Sequence, residues 1–289
     1  MRVSLSLFTC DRGITPAEAA VAAEERGLFA LYVPEHTHIP VNRETPHPAT
    51  GDETLPDDRY RRTLDPWVSL ATASAVTTSL RLGTSVALPL EHDPIALAKT
   101  IATLDHLSGG RVRFGVGFGW NLEEMADHGV PVRRRRAMLA DYLGAIGALW
   151  SDDEAEHEGE FVRFGPSWAW PKPAQRPRPP ILVGAFASAK TFDWISTHAD
   201  GWISTPLDEG IAASIRLLGE RWAAAGRPGS PEAVVLESTA GTRVAEFLDA
   251  GADEVVLALP DVDRDEALRL LDLMCARIEP VIGSPGRSH

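Results

Sequence analysis

Residues 81–119 read RLGTSVALPLEHDPIALAKTIATLDHLSGGRVRFGVGFG and contain three patterns in succession. Both ends are strand-like, and Val112, Phe114 and Val116 alternate at the period of two that a strand requires. Between them, apolar residues recur at the spacing of one helix face. These residues are Ile95, Ala98, Ile101, Ala102 and Leu104. The stretch therefore predicts a strand, a helix and a second strand.

Capping residues and glycines mark the ends of this unit. Asp93 directly precedes Pro94, a pair typical of a helix N-cap and the first helical position, and Gly109 and Gly110 end the helix. Both strands end in small residues on the same edge of the predicted sheet. Because glycine lets a flat ring or a phosphate approach the backbone closely, this edge indicates a seat for a cofactor.

The same alternation of strand-like and helix-like segments extends over nearly the whole chain. The predicted strands are residues 3–8, 30–33, 82–87, 112–117, 181–184, 201–204, 234–237 and 254–259. Eight such repeats predict a (β/α)8 TIM barrel, with residues 1–289 as a single domain. A doubly wound open sheet is the alternative, but it requires a glycine-rich dinucleotide turn after the first strand. Residues 8–13 (FTCDRG) do not form that motif.

Three segments interrupt the alternation. Residues 37–63 are polar and without period, which predicts a long loop after the second strand, in a position to cover the site as a lid. Residues 150–164 indicate an acidic turn that enters a short hairpin, and the proline-rich residues 167–180 indicate an extended linker. For all three segments, a plain surface connection is the alternative.

Composition and charge exclude several classes of protein. The chain has 289 residues, 44% of them hydrophobic, and a formal net charge of −13, which argues against nucleic acid and anionic membranes as partners. The N-terminus does not resemble a signal peptide, and no apolar segment approaches the roughly 20 residues that cross a bilayer. The spacing of Cys10 and Cys275 suggests no redox or metal motif. We therefore expect a cytoplasmic protein.

The second predicted strand ends in the cluster Glu35, His36, Thr37 and His38. Catalytic residues of TIM barrels lie at the carboxyl ends of the strands, and histidine exchanges protons near neutral pH. A solvated loop histidine is the alternative. The His36-x-His38 pair also resembles a metal-binding motif, but a divalent metal needs at least three protein ligands, and the ends of the fourth to sixth predicted strands offer no further histidine. The pattern therefore favours a site without metal.

Several of these motifs carry a family resemblance. The segments RLGTSV (81–86), LDHLSGGRVRFGVGFGW (104–120) with the following Glu123 and Glu124, PPILVGAFAS (179–188) and ADGW (199–202) resemble the bacterial luciferase-like superfamily. They are most similar to its branch of oxidoreductases that depend on the deazaflavin coenzyme F420. The resemblance covers roughly residues 1–205, and the last third of the chain matches only in its pattern of strands and helices.

The resemblance implies roles for particular residues. His36 matches the active-site histidine of the deazaflavin branch, and Glu35 matches the acidic residue next to it. A non-proline cis peptide between Ser85 and Val86 would support the cofactor ring. Gly117, Phe118 and Gly119 would border the cofactor, with Trp120 either stacked on it or packed in the core. The turn that would hold the cofactor phosphate is Gly184, Ala185, Phe186, Ala187 and Ser188.

Small residues before a helix N-terminus suit an anion, because free N–H groups and the helix dipole favour negative charge there. A plain helix cap by Ser188 is the alternative. Residues 133–136 (RRRR) start another predicted helix, where they face water or attract an anionic cofactor tail or a substrate carboxylate.

The expected function is hydride transfer between F420 and a small organic substrate, with His36 supplying or accepting the proton. An FMN-dependent luciferase-like monooxygenase is the first alternative, because the same fold would cradle both rings. A non-catalytic subunit or binding protein without cofactor is the second. The resemblance also implies a homodimer.

Overall fold

The computed structural model describes residues 1–237, 240–260 and 262–282. Within them, eight parallel strands pair in chain order, and the last pairs with the first to close a barrel. The barrel strands are β1 Arg2–Leu7, β2 Ala30–Val33, β3 Arg81–Thr84, β4 Val112–Gly117, β7 Ile181–Gly184, β8 Gly201–Ile203, β9 Glu232–Glu237 and β10 Glu254–Leu259. The predicted TIM barrel is confirmed, and the doubly wound alternative is excluded because the sheet has no open edge.

Helices follow the strands and pack around the barrel. Their bounds are α1 Pro16–Glu25, α2 Pro66–Val76, α3 Pro94–Leu107, α4 Leu122–Asp127, α5 Arg135–Ser151, α6 Ala189–His198, α7 Ile211–Ala224, α8 Val244–Asp249 and α9 Arg264–Ile282. In the part of the chain that the structure describes, none of them has both the length and the apolar character to cross a membrane.

Polar side chains cap the helices, and among them the expected caps at Asp93 and Ser188 are confirmed. Asp65 and Asp93 each accept a hydrogen bond of 2.8 Å from the backbone N–H three residues on, and Ser188 accepts one of 3.1 Å from Thr191. Thr15 forms a reciprocal capping box with Glu18. Each cap satisfies a backbone donor that the first helical turn leaves free, which fixes where the helix begins.

The third predicted strand ends earlier than expected. β3 stops at Thr84, and the chain then passes through a cis peptide between Ser85 and Val86. Ser85 N–H still donates to Val33 on one side (2.8 Å), whereas Ala87 N–H donates to Gly115 on the other side (2.8 Å). The expected strand 82–87 is therefore a strand followed by a bulge, because two of its residues turn out of the regular ladder.

The segment before β7 forms the expected hairpin and linker. β5 Ala155–Glu158 and β6 Arg163–Ser167 pair in antiparallel fashion. The proline-rich linker that follows is held to the barrel by buried Lys172, which donates to the carbonyl of Leu149 at 2.9 Å. The Gln175 side chain adds a 2.7 Å hydrogen bond to Asp105.

A buried ionic network lies at the opposite end of the barrel from the carboxyl ends of the strands. Arg113 donates to the Tyr32 hydroxyl at 2.6 Å and pairs with Glu232 at 2.8 Å and with Glu254 at 3.1 Å. Ser4 donates to Glu254 at 2.5 Å. Because these groups come from β1, β2, β4, β9 and β10, one guanidinium ties together strands that are distant in sequence.

Replacing Arg113 by Met is expected to lower the free energy of unfolding by about 3–5 kcal/mol, because buried Glu254 is left without its counter-charge. Urea unfolding followed by circular dichroism measures the change. Arg269→Met serves as the control, since Arg269 pairs with Glu266 on the exposed face of α9, where solvent screens the pair, and it should change stability far less than Arg113→Met. Equal losses in the two variants would contradict a structural role for the Arg113 network.

Candidate functional site

A large cavity opens at the carboxyl ends of the barrel strands. It measures about 450 Å³, which lies in the range of roughly 300–1,000 Å³ that small-molecule sites occupy. Most of its walls are apolar. Its lining includes Phe8, Pro34, Tyr60, Val86, Leu88, Phe118, Trp120, Phe186, Leu207, Leu236, Val256 and Ala258.

The floor of the cavity is built around Val86. The cis peptide expected between Ser85 and Val86 is present. The Val86 side chain lies so close to two neighbouring strand ends that a Cβ on Gly117 or on Gly184 would come within 2.5 Å or 2.4 Å of its methyl carbons. Both glycines are therefore needed for Val86 to sit against the barrel instead of protruding into the cavity.

His36 lines the cavity at the end of β2, with only 7% of its side chain exposed. Its Nδ1 lies 2.8 Å from a carboxylate oxygen of Glu124, and its Nε2 accepts a 3.3 Å hydrogen bond from the indole N–H of Trp120. Because indole N–H only donates, Nε2 must be the unprotonated nitrogen in the neutral ring, and Nδ1 carries the proton toward Glu124. Neutral His36 thus keeps its basic nitrogen on the Trp120 side of the ring.

Glu35 also lines the cavity. The hydrogen-bond partners of its carboxylate come from the segment after β3, although its neighbour in sequence is His36. Its carboxylate accepts a 2.5 Å hydrogen bond from the backbone N–H of Leu88 and lies 2.6 Å from Nε2 of His92. Although burial opposes a charge on His92, the hydrogen bond to Glu35 raises the pKa of the imidazole. Glu35 therefore anchors the segment after the cis peptide.

Behind His36 lies a pair of buried acids, Glu91 and Glu124. The Thr37 backbone N–H donates to Glu124 at 3.0 Å, and the Thr37 hydroxyl donates to Glu91 at 3.2 Å. Burial, together with the charges of Glu124 and Glu35, raises the pKa of Glu91 to about 9. At neutral pH Glu91 is therefore an uncharged acid, which leaves Glu124 as the anion that faces His36.

The roof of the cavity comes from the long loop between β2 and α2. Tyr60, in the short 3-10 helix Asp58–Arg62, packs 5.6 Å from His36 between ring centroids. His47 packs edge-on to Trp120 at 4.7 Å, and burial, with the nearby His36, lowers its pKa. Trp120 is thus part of the cavity wall and not of the barrel core. The loop supplies aromatic and imidazole groups that shield His36 from water.

At the far side of the cavity, the turn after β7 leads into α6. Ala185 and Phe186 line the cavity, but the backbone N–H of Ala187 already donates to Asp208 at 3.0 Å. Ser188 caps α6 and its hydroxyl donates to Thr191 at 2.9 Å. Part of the turn that was expected to hold a phosphate is therefore engaged within the protein.

A cationic side chain that could bind an anion, Arg136, lies at this end of the cavity. Its Nη2 donates to the Thr191 hydroxyl at 3.3 Å, and its guanidinium lies 4.4 Å above the ring of Phe118. Its other terminal nitrogen, Nη1, is buried and has no hydrogen-bond partner among the described residues. A buried donor without a partner is costly, so Arg136, Ser188 and Thr191 together form a place where an anion would complete the hydrogen bonding.

Most of the residues singled out from the sequence meet around this cavity. Those in its lining are Glu35, His36, Ser85, Val86, Phe118, Gly119, Gly184, Ala185 and Phe186. Gly117 lies behind Val86, while Ala187 and Ser188 lie beyond the cavity edge. Among the described residues, no group of three or more histidine, cysteine or acidic side chains could hold a metal ion.

Four residues of the site are not apparent as such from the sequence: Glu91, Glu124, His47 and Tyr60. Glu124 belongs to a motif shared with the family, and its place four residues after Trp120 puts both residues on one short connection. No sequence pattern distinguishes Glu91, His47 or Tyr60 from other residues of their loops. They reach the site only because the loops after β2, β3 and β4 converge at the rim.

Comparison with known proteins identifies a family. The sequence model of the family described as luciferase-like monooxygenase matches residues 15–246. An uncharacterized protein of Mycobacterium tuberculosis (strain ATCC 25618 / H37Rv) is 57% identical over 279 residues, which cover 96% of this chain and 99% of that protein.

More distant relatives have names that state a cofactor. An F420-dependent hydroxymycolic acid dehydrogenase of Mycobacterium tuberculosis (strain ATCC 25618 / H37Rv) is 29% identical over 261 residues, which cover 89% of this chain and 64% of that protein. An FMNH(2)-dependent dimethylsulfone monooxygenase of Pseudomonas putida is 31% identical over 152 residues, which cover 49% of this chain and 39% of that protein.

Solved structures share the fold. Monooxygenase RslO1 from Streptomyces bottropensis superposes with a TM-score of 0.78 at 21% identity, covering 97% of this chain and 99% of that one. An F420-dependent secondary alcohol dehydrogenase in complex with an F420-acetone adduct gives a TM-score of 0.72 at 18% identity, covering 98% of this chain and 99% of that one. At these identities the likeness shows the architecture alone.

The raised pKa of Glu91 predicts a pH dependence of stability. The folded protein keeps this proton up to about pH 9, whereas an ordinary glutamate loses it near pH 4.5. The folded state therefore binds more protons than the unfolded chain in this window, and Glu91 makes the free energy of unfolding fall as the pH rises through it. Glu91→Gln keeps an uncharged side chain and should reduce that fall.

Thermal melts of the parent protein and of Glu91→Gln between pH 5 and pH 9 test this expectation. The variant should gain melting temperature relative to the parent as the pH rises. Glu220→Gln, an exposed change on α7, should run parallel to the parent. If Glu91→Gln also runs parallel to the parent, Glu91 does not carry a proton in the folded state.

Proposed function

The chain belongs to the family of luciferase-like monooxygenases, and within this family we propose that it is an oxidoreductase that transfers a hydride between coenzyme F420 and a small organic substrate. The observation that carries this proposal is the arrangement of His36. Its Nε2 is the basic nitrogen of the neutral ring, and its Nδ1 is held by the Glu124 carboxylate at 2.8 Å. Removing a hydride from an alcohol also requires a base for the hydroxyl proton, and His36 supplies one.

The residues present fit a flat ring with an anionic tail. The apolar floor at Val86, with glycines behind it, leaves a smooth surface for a ring. The unpartnered Nη1 of Arg136, beside Thr191 and Ser188, is suited to the phosphate at the start of the tail. Bound there, the deazaflavin would accept or donate the hydride itself.

The contribution of the protein is orientation and proton handling. In the oxidative direction the substrate hydroxyl replaces the Trp120 N–H at His36 Nε2 and gives its proton to that nitrogen, and the Glu124 carboxylate stabilises the resulting imidazolium through Nδ1. In the reductive direction the imidazolium returns that proton to the substrate oxygen or carbon. Uncharged Glu91 adds no second negative charge next to Glu124. Tyr60, His47 and Trp120 cover the site and limit the access of water.

The relatives support the choice of cofactor. One relative is named as an F420-dependent dehydrogenase and spans most of this chain, and a protein of the same fold is an F420-dependent secondary alcohol dehydrogenase. The relative named for FMNH(2) covers only half of the chain, and it makes FMN the second cofactor to test. The apolar lining of the cavity favours a substrate with a small hydrocarbon body and one reacting polar group.

The deciding experiment is a side-by-side titration of the purified protein with F420 and with FMN, followed by fluorescence and calorimetry. We expect F420 to bind with micromolar or lower Kd and FMN to bind at least tenfold more weakly. A preference for FMN would assign the protein to the oxygen-activating enzymes of the family. Binding of neither ring would overturn the proposal in favour of a subunit without cofactor.

Replacing His36 by Ala should lower the rate of hydride transfer by roughly 10²–10⁴-fold, the usual contribution of a general acid or base, while the Kd for F420 changes little. Single-turnover absorbance of the deazaflavin measures the rate. His38→Ala is the matched control, because His38 is much more exposed and pairs with Asp127. A His36→Ala protein that transfers hydride at the parent rate would remove His36 from the mechanism.

A further inference from the structure

A second recess, of about 470 Å³, opens next to the main cavity. It lies between the start of α5 and the start of α6, and it is wide open to solvent. The residues that line it are Val132, Arg133, Arg134, Arg135, Arg136, Ala137, Lys190 and Trp194. Five cationic side chains thus line one recess in a chain whose formal net charge is −13. Such a local reversal of sign attracts anions.

The recess begins where the main cavity ends. Phe118 lines the cavity, and two residues of the recess pack on its ring: the Arg136 guanidinium at 4.4 Å and the Trp194 ring at 5.1 Å. The Trp194 indole N–H donates to the carbonyl of Arg136 at 3.2 Å, which fixes this boundary. A molecule whose phosphate reached Arg136 would therefore continue directly into the recess.

Most of the positive charge in the recess is not neutralised by the protein. Arg134 forms an ion pair with Glu160, with its Nη2 at 2.7 Å. Arg133, Arg135 and Lys190 form no ion pair with any residue that the structure describes, and Arg133 and Lys190 are exposed. The recess thus offers several cations to a ligand, in addition to the single buried donor at Arg136.

We propose that this recess binds a chain of carboxylates attached to the cofactor phosphate, as in the oligoglutamate tail of F420. The proposal rests on the proposed function and deepens it, since FMN ends at its phosphate and has no group for Arg133, Arg135 and Lys190. Guanidinium and ammonium groups are the natural partners of carboxylates. Because the recess is open, the attraction is screened by salt and grows with the number of glutamates.

The test uses three probes: the deazaflavin riboside without phosphate or tail, F420 with one glutamate, and F420 with about five glutamates. In the parent protein the long tail should lower the Kd at least tenfold relative to the single glutamate at low salt. This gain should shrink several-fold in 0.5 M NaCl. The riboside reports binding of the ring alone.

The triple variant Arg133→Gln, Arg135→Gln and Lys190→Gln should bind the riboside like the parent but lose the gain from the long tail. The control is Arg216→Gln, Arg269→Gln and Arg277→Gln, which removes the same charge from exposed positions on α7 and α9 and should keep the gain. Circular dichroism checks that both variants are folded.

The outcomes separate this inference from the proposed function. If the parent binds the riboside and both forms of F420 equally, the recess does not hold the tail, although the function stands. If both triple variants lose the gain in affinity from the long tail equally, that gain depends only on the net charge of the protein. The recess would then have no role in binding the tail. If no deazaflavin binds, both proposals fall.

Discussion

The pairing of β1 with β10 is the constraint on which the rest of the structure depends. The register runs from Arg2 opposite Glu254 to Leu7 opposite Leu259 and joins the two ends of the sheet. Once the sheet is closed, no strand edge is left unpaired, and every strand delivers its carboxyl end to the same rim. Loops that are far apart in sequence then meet over one cavity.

Charge is buried at both ends of this barrel, for different purposes. At the closed end, Arg113 is surrounded by Glu232, Glu254 and Tyr32, and all of these groups serve to hold strands together. At the open end, His36 faces a single anion, Glu124, while burial keeps Glu91 protonated. The groups of the first network pair with one another. In the second, His36 Nε2 is occupied only by the long 3.3 Å hydrogen bond from Trp120, which a ligand could replace.

The open end is itself divided in two. On one side, the aromatic loop residues shield His36, the residue that we propose exchanges a proton with the substrate. On the other side, Arg136 begins a strip of positive charge that leads from the cavity to the surface. Phe118 lies between them and contributes to both. A cofactor with a neutral ring and an anionic tail matches this division, because each part meets the environment that its charge favours.

The sequence alone determined the barrel, most strand bounds, the helix caps and the glycine-lined floor. These features follow from local rules, such as the period of two along 112–117 or Asp93 before Pro94, and from motifs shared with a family. The position of His36 at a strand end was also predictable, since the carboxyl ends of barrel strands carry the site.

Only the tertiary structure decided which groups act on His36. Glu35, its neighbour in sequence, binds Leu88 and His92, whereas Glu124 reaches Nδ1 from a different strand end. The protonation of Glu91 likewise depends on burial among other acids. The run 133–136 is uniform in sequence, yet Arg134 forms an ion pair, Arg136 lies over Phe118, and Arg133 and Arg135 form no ion pair with any residue that the structure describes. Such differences arise from contacts between distant segments, which no local pattern encodes.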